Sequence, residues 1–397
     1  MNWIVHKFGG SSLADARAFE HVVGLMTAES GPRRQAVVVS AMQGTTDALI
    51  DLSERAAADA SDWPQALEAL RSRHLECASL LGLADRAIEP ISLSFRRLEH
   101  LLESFGLLGS VPQEAMELVA ALGEQWSARL LDGAFAARGE ATRFVDAREV
   151  IRIRRGELGP IALIDESRER LATVLTDEPG RLVVTGFCCR DEQGRIATLG
   201  RDGSDFTATI LAALLDAGEV QIWTDVDGVL NADPGRVPNA QVIERLSYRE
   251  AFELAYFGAR VLHPQTLSPL LERDVPVRIR STRHPDRPGT IIDRAGSGTP
   301  PVKGMTAIRD LALVNVEGAG MLGVPGTAER VFATLHRGGI SVTMISQGSS
   351  EHSICCVVPA AQADRARHLL SEAFAREIAA GQLQAVRQED RIEVLAA

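Results

Sequence analysis

Lys7-Phe8-Gly9-Gly10-Ser11-Ser12 follows directly on the apolar run Trp3-Ile4-Val5, and this junction decides how the first half of the chain is read. A short apolar run reads as a buried strand, and two glycines behind it let backbone N–H groups approach an anion closely. Ser11 and Ser12 either donate hydroxyls to that anion or cap the helix that residues 14–26 predict. Lys7 adds a point charge that a transferring phosphoryl group would feel. The same letters also spell an ordinary tight turn, so the rest of the chain has to arbitrate.

The chain has 397 residues, enough for two or more domains with separate cores. Lys+Arg 42 against Asp+Glu 53 leaves a formal charge of −11, the wrong sign for a nucleic-acid partner, whose footprint is a basic stripe. Five cysteines without metal-type spacing predict reduced thiols in a cytoplasmic protein. No apolar run approaches the roughly 18 residues that a membrane span needs. The composition therefore predicts a soluble protein with no membrane partner.

Short apolar runs alternate with helical patterns as far as Ile292. Residues 36–40, 143–146, 182–186, 220–224 and 277–279 predict strands, and 112–137, 205–217 and 248–257 predict helices. That alternation implies parallel βαβ units, an α/β fold with a mostly parallel sheet covered on both faces. Residues 64–105 break the rhythm with leucines at helical spacing, separated at Pro90, and predict a helical insertion serving as a lid or a subunit contact. Small residues and prolines at 294–301 mark a linker. Beyond it a βαββαβ string predicts an α+β, ferredoxin-like module.

Three further stretches carry chemistry. Gly200-Arg201-Asp202-Gly203-Ser204-Asp205 opens a helix, where N–H groups and the dipole favour an anion. Arg201 suits a carboxylate, and Asp205 either pairs with Lys7 or caps the helix. Thr224-Asp225-Val226-Asp227-Gly228 ends a strand, the usual place for a ligand in an open parallel sheet. Gly123-Glu124, followed by Ser127, lies inside a helix and gains meaning only from the others.

Together with Val39-Ser40-Ala41, Phe257-Gly258-Ala259 and Val261-Leu262-His263-Pro264, these motifs resemble the amino-acid-kinase superfamily, and within it aspartate kinase, over nearly the whole chain. The tail Ile345-Ser346-Gln347-Gly348-Ser349-Ser350 resembles the ACT module of the bifunctional enzymes. The resemblance implies a three-layer kinase domain over 1–293, a linker over 294–303 and an ACT module over 304–397, cut before a second ACT module. It implies ATP with Mg²⁺ held mainly by the phosphates rather than by protein ligands, L-aspartate as acceptor, and a threonine or lysine effector acting on a homodimer or larger assembly.

By the same resemblance Lys7 and the turn Gly9, Gly10, Ser11, Ser12 face the β- and γ-phosphates, and Asp205 organises the lysine. Ser40, Thr46, Glu124, Arg201 and Ser204 take aspartate. Thr224, Asp225, Arg236 and Arg260 take the nucleotide, and Met321, Gln347 and Ser349 the effector. Three positions depart from the family pattern: Leu230 for tyrosine, Gly235 for arginine and Arg260 for lysine. Those departures leave a second reading, an amino-acid-sensing subunit with a weakened kinase domain. A kinase acting on glutamate is disfavoured because such enzymes lack the tail module.

Two decoys fall away. Gly318-Ala319-Gly320-Met321-Leu322-Gly323 spells a dinucleotide fingerprint, but residues 330–350 contain no acidic residue to hold the ribose. The dipeptide Gly-Lys never occurs, which excludes a Walker A loop.

Overall fold

Trp3 to Phe8 form the first strand of a computed structural model that describes residues 3–28, 34–175, 180–256, 262, 264–298, 300, 302–348 and 352–397. The chain divides into two compact units, residues 1–303 and 304–397.

The larger unit contains β1 (Trp3–Phe8), β2 (Arg34–Val39), β3 (Arg143–Val145), β4 (Arg152–Gly156), β5 (Gly159–Ala162) and β6 (Arg181–Thr185). It continues with β7 (Cys188–Asp191), β8 (Ile196–Thr198), β9 (Glu219–Thr224), β10 (Arg245–Ser247), β11 (Val277–Ser281) and β12 (Thr290–Asp293). Eight strands make one sheet in the order β10-β12-β11-β9-β1-β2-β6-β3, and only the β11–β12 pair is antiparallel. The sheet thus has the mostly parallel form that the alternation predicts. A second small sheet, β5-β4-β7-β8, was not legible as strands.

Period-2 alternation sorts the sheet's side chains into two cores. Val5, Val38, Val184 and Ile222 pack on one face with Phe206, Ile210 and Leu214 of the helix Gly203–Leu214. Phe8, Val37, Val39, Val183 and Trp223 pack on the other with Phe19 and Val23 of the helix Ala16–Ala28 and with Trp126 and Leu130 of the helix Leu122–Ala137. Burial on both faces is why these strands read as continuous apolar runs.

Two helix expectations need correction. The predicted helix 112–137 breaks at Ala121 into Gln113–Ala120 and Leu122–Ala137, and Gly123 in the second piece packs against Ala41. Pro90 does not separate two segments: the helix Asp85–Leu108 runs through it, with Pro90 in the second turn giving up one i→i−4 hydrogen bond. The helical insertion itself is present as Trp63–Leu80 and Asp85–Leu108. Its Leu67, Leu70, Leu98 and Leu102 are core residues, while Leu80, Leu107 and Leu108 are exposed.

The smaller unit contains β13 (Thr306–Glu317), the helix Thr327–Arg337, β14 (Met344–Gln347), β15 (Ser353–Pro359), the helix Ala360–Ala373 and β16 (Arg387–Ala396). Its sheet order is β14-β15-β13-β16, antiparallel throughout, which is the ferredoxin-like arrangement of a split βαβ unit. Val314, Val316, Cys356 and Val358 face Val331, Leu335, Ala366 and Leu370 in its core. All five cysteines are free. Among the described residues no helix is long and apolar enough to cross a membrane.

Candidate active site

The parallel sheet sends β1, β2, β6 and β9 in one direction, so the loops after them emerge at one edge, where ligands of open α/β sheets bind. A cleft of about 360 Å³ lies there, and Lys7, Gly10, Ser40, Thr46, Glu124, Ser204 and Asp205 all line it. Lys7, one residue before the end of β1, lies on the face that carries the helix Gly203–Leu214, and its Nζ stands 2.7 Å from Asp205 Oδ1. Of the two roles open to Asp205, the structure selects the ion pair: the N-cap position belongs to Asp202, in left-handed conformation with φ 52°. Burial holds the Asp205 carboxyl above the usual range, even against the Lys7 ammonium.

Glu124 enters from the opposite core. A Cβ on Gly123 would stand 2.6 Å from Ala41 Cβ, so only glycine lets the helix Leu122–Ala137 approach the loop after β2 this closely. That approach brings the Glu124 carboxylate under the backbone N–H of Ala41. Burial pushes its pKa up to about 7, against the pull of the two backbone N–H groups of Glu124 and Ala41 and of the Lys7 charge. Its Oε2 is buried with no hydrogen-bond partner among the described residues. A carboxylate oxygen left in that state calls for a donor from a ligand.

The remaining expected residues fall in several places. A Cβ on Gly9 would stand 3.6 Å from Lys7 Nζ, so the lysine folds over its own turn. Ser11 is exposed, and Ser12 is buried with an unpartnered hydroxyl. Arg201 is exposed between Gly200 and Asp202, both of which line the cleft. Thr224 and Asp225 lie outside that lining, at the end of β9, with the Thr224 hydroxyl donating to the Asp225 carboxylate over 3.2 Å. Arg236 is exposed, and Leu230 is half-buried in an isolated bridge with Val242. In the smaller unit Met321 is a core side chain and Gln347 is exposed on β14. Arg260 and Ser349 lie outside the described residues.

Sequence reasoning missed Phe187, which lines the cleft with φ 65°, a rare conformation for an aromatic residue. The Phe187 N–H donates to Thr207 Oγ1 at 2.9 Å, and its carbonyl accepts from Leu199 N–H at 2.8 Å, which holds the backbone there. The preceding Gly186 has no alternative: a Cβ would meet Ser204 Oγ at 2.6 Å and the Val39 carbonyl at 2.7 Å. A glycine and an aromatic after a buried strand were the available signal. Met42, Gln43, Gly44 and Asp47 also line the cleft and carried no sequence signature.

A lysine on a glycine turn, a helix N-terminus and an orphaned carboxylate meet in one cleft, groups that suit small charged ligands. The chain belongs to the amino acid kinase family, which it matches over residues 2–281, and residues 314–374 match an ACT domain. Among its relatives, bifunctional aspartokinase/homoserine dehydrogenase 2 of Arabidopsis thaliana is 37% identical over 406 residues, covering 100% of this chain and 44% of that protein. The bifunctional aspartokinase/homoserine dehydrogenase of Haemophilus influenzae is 37% identical over 390 residues, 96% of this chain and 48% of the relative. The chain therefore spans less than half the length of either.

Among solved structures, E. coli aspartokinase III in complex with aspartate and ADP superposes with a TM-score of 0.80 at 28% identity, covering 99% of this chain and 86% of the other. The same enzyme in complex with lysine and aspartate gives 0.79 at 29%, with the same coverage.

Proposed function

We propose that this chain is an ATP-dependent aspartate kinase, which transfers the γ-phosphoryl group of Mg-ATP to the side-chain carboxylate of L-aspartate. The observation that carries the reading is the meeting of the Lys7–Asp205 ion pair with the unpartnered Glu124 oxygen in one cleft. The relatives named aspartokinase support it, as does the aspartate- and ADP-bound neighbour.

In this reading a carboxylate oxygen of aspartate forms the new P–O bond while the bond to ADP breaks, and ADP leaves with its electron pair. Two anions must be brought together, so the residues act by positioning and charge neutralisation. Lys7 and the backbone N–H groups of residues 9–12 hold the β- and γ-phosphates, and Ser40, on the neighbouring turn, faces aspartate. Asp205 keeps the lysine in place. Glu124 accepts the substrate ammonium at its free oxygen, while Thr46, Arg201 and Ser204 take the carboxylates. Thr224, Asp225, Arg236 and Arg260 serve the nucleotide, and Mg²⁺ arrives on its phosphates. Acyl phosphate trapped as the hydroxamate from aspartate and Mg-ATP is the test, and no product at saturating substrate refutes the assignment.

The domain boundaries belong to the same proposal: a catalytic domain over 1–293, a linker over 294–303 and a regulatory ACT module over 304–397. The product would enter lysine, threonine and methionine synthesis, in the cytoplasm, with threonine or lysine bound near Met321, Gln347 and Ser349 of a homodimer or larger assembly. The lysine complex of E. coli aspartokinase III supports an amino-acid effector. Calorimetry with either amino acid should give heat. One observation favours a second reading, a sensing subunit with weak catalysis: Leu230, Gly235 and Arg260 stand at three nucleotide-side positions. That reading predicts effector binding without turnover.

A further inference from the structure

Resting on the kinase reading above, we propose that Trp223 is a positioning residue, which seats the lysine-bearing end of β1 by holding its neighbours His6 and Phe8 from the adjacent strand. Phe8, Trp223 and Arg280 are direct register partners across β1, β9 and β11. The Phe8 and Trp223 rings stack with centroids 5.6 Å apart and 9° between planes. From the other side the Arg280 guanidinium lies 4.3 Å from the indole centroid. Gln221 Oε1 accepts from Arg280 at 2.9 Å, and the Pro285 carbonyl does so at 2.6 Å. The result is a cation–aromatic–aromatic layer beneath the cleft-side edge of the three central strands.

Two members of the layer stand just before residues of the proposed site, and the third just before a loop tied to them. Phe8 precedes Gly9-Gly10, Trp223 precedes Thr224-Asp225, and Arg280 precedes Ser281-Thr282. The last loop is tied to the second, because Thr282 N–H donates to the Thr224 carbonyl at 2.8 Å. Lys7 projects from the opposite face of β1, between His6 and Phe8, so a shift of either neighbour moves its Nζ relative to Asp205.

The indole adds a directional contact: Trp223 Nε1–H donates to His6 Nδ1 over 3.2 Å. That bond requires an unprotonated Nδ1 and therefore a neutral ring. Burial above all pushes the His6 pKa down to about 3, and the charged groups that bear on it, Arg280 on β11 and Arg181 on β6, act in the same direction. The imidazole behind Lys7 therefore stays uncharged.

The test uses the full 397-residue chain. Trp223→Phe keeps a ring and removes the donor. It is expected to lower kcat about tenfold, with KM for aspartate within about twofold and Mg-ADP bound several-fold more weakly. His6→Leu should reproduce this, whereas His6→Gln, whose amide oxygen accepts the indole N–H without titrating, should restore both readouts. If Trp223→Phe does not fold, the two His6 variants decide. Variants that lower Tm yet leave kcat, KM and Mg-ADP affinity at wild-type values overturn the proposal, since packing alone would do that. Should the wild-type chain form no acyl phosphate, the kinase reading fails by itself. Equal Mg-ADP affinity in wild type, Trp223→Phe and His6→Leu then overturns the role of Trp223 as well.

Discussion

Lys7 Nζ lies 2.7 Å from Asp205 Oδ1, with both side chains nearly buried, at 13% and 9% exposure. This contact joins the end of β1 to the first turn of the helix Gly203–Leu214. It gives the lysine one geometry over the glycine turn, where a free side chain of its length would sample many. Asp205→Asn removes the charge and should cut the rate of acyl-phosphate formation by about 10²-fold or more, on the scale of losing one preorganised electrostatic group. Lys7→Arg should not rescue, because a planar fork cannot replace a compact ammonium. A hydroxamate assay on both variants checks this, and near-wild-type turnover of Asp205→Asn counts against the pairing as a catalytic device.

On the proposed function, Glu124 should make substrate affinity depend on pH. Its ordinary value of 4.5 is raised to about 7 by burial, so the empty site carries a proton on this group in mildly acidic solution. A substrate ammonium needs the ionised form. KM for aspartate is expected to fall as pH rises through about 7, and Glu124→Gln should raise KM and flatten the profile. The same profile in the variant as in wild type would assign the titration elsewhere.

The same group sets a sign for stability. The folded chain keeps this proton up to about pH 7, whereas an unfolded glutamate loses it near 4.5. The stabilising contribution is therefore complete below about 4.5 and is lost as pH rises through about 7. Urea unfolding of the ligand-free chain should show this decline, and Glu124→Gln should remove it.

Gly186 is tested by Ala. The added methyl would press on Ser204 Oγ at 2.6 Å and on the Val39 carbonyl at 2.7 Å, so backbone or helix must shift. Overpacking of this kind costs about 1–3 kcal/mol and should raise KM for aspartate through Ser204. Stability and KM measured together check the coupling, and an unchanged KM would separate Ser204 from the substrate.

The helical insertion offers a paired control. Leu98 is fully buried, and Leu98→Ala should cost about 2–5 kcal/mol in urea unfolding. Leu107 is 91% exposed, and Leu107→Ala should change stability by less than about 0.5 kcal/mol. A comparable loss from both would place Leu107 in an interface.

Much of the architecture was legible because burial leaves a local mark. Strands covered on both faces read as apolar runs, as in residues 36–39, and the ferredoxin-like order of the smaller unit follows from six short patterns in sequence. The small sheet β5-β4-β7-β8 was not legible, since Arg152, Arg154 and Arg155 interrupt β4 and only tertiary pairing makes it a strand. The break at Ala121 was hidden for a similar reason. Nothing in its own neighbourhood marks it, and its consequence is the approach of Gly123 to Ala41.

Local chemistry pointed to a lysine beside glycines and to an arginine and acids at a helix start, while the glutamate inside a helix gained meaning only from their company and the family resemblance. Spacing along the chain could not say that Lys7 meets Asp205, that Glu124 keeps an unpaired oxygen, or that Phe187 closes one wall. Those outcomes belong to the packed sheet, because ion pairing, desolvation and close backbone approach depend on distance in space. The folded topology alone sets that distance.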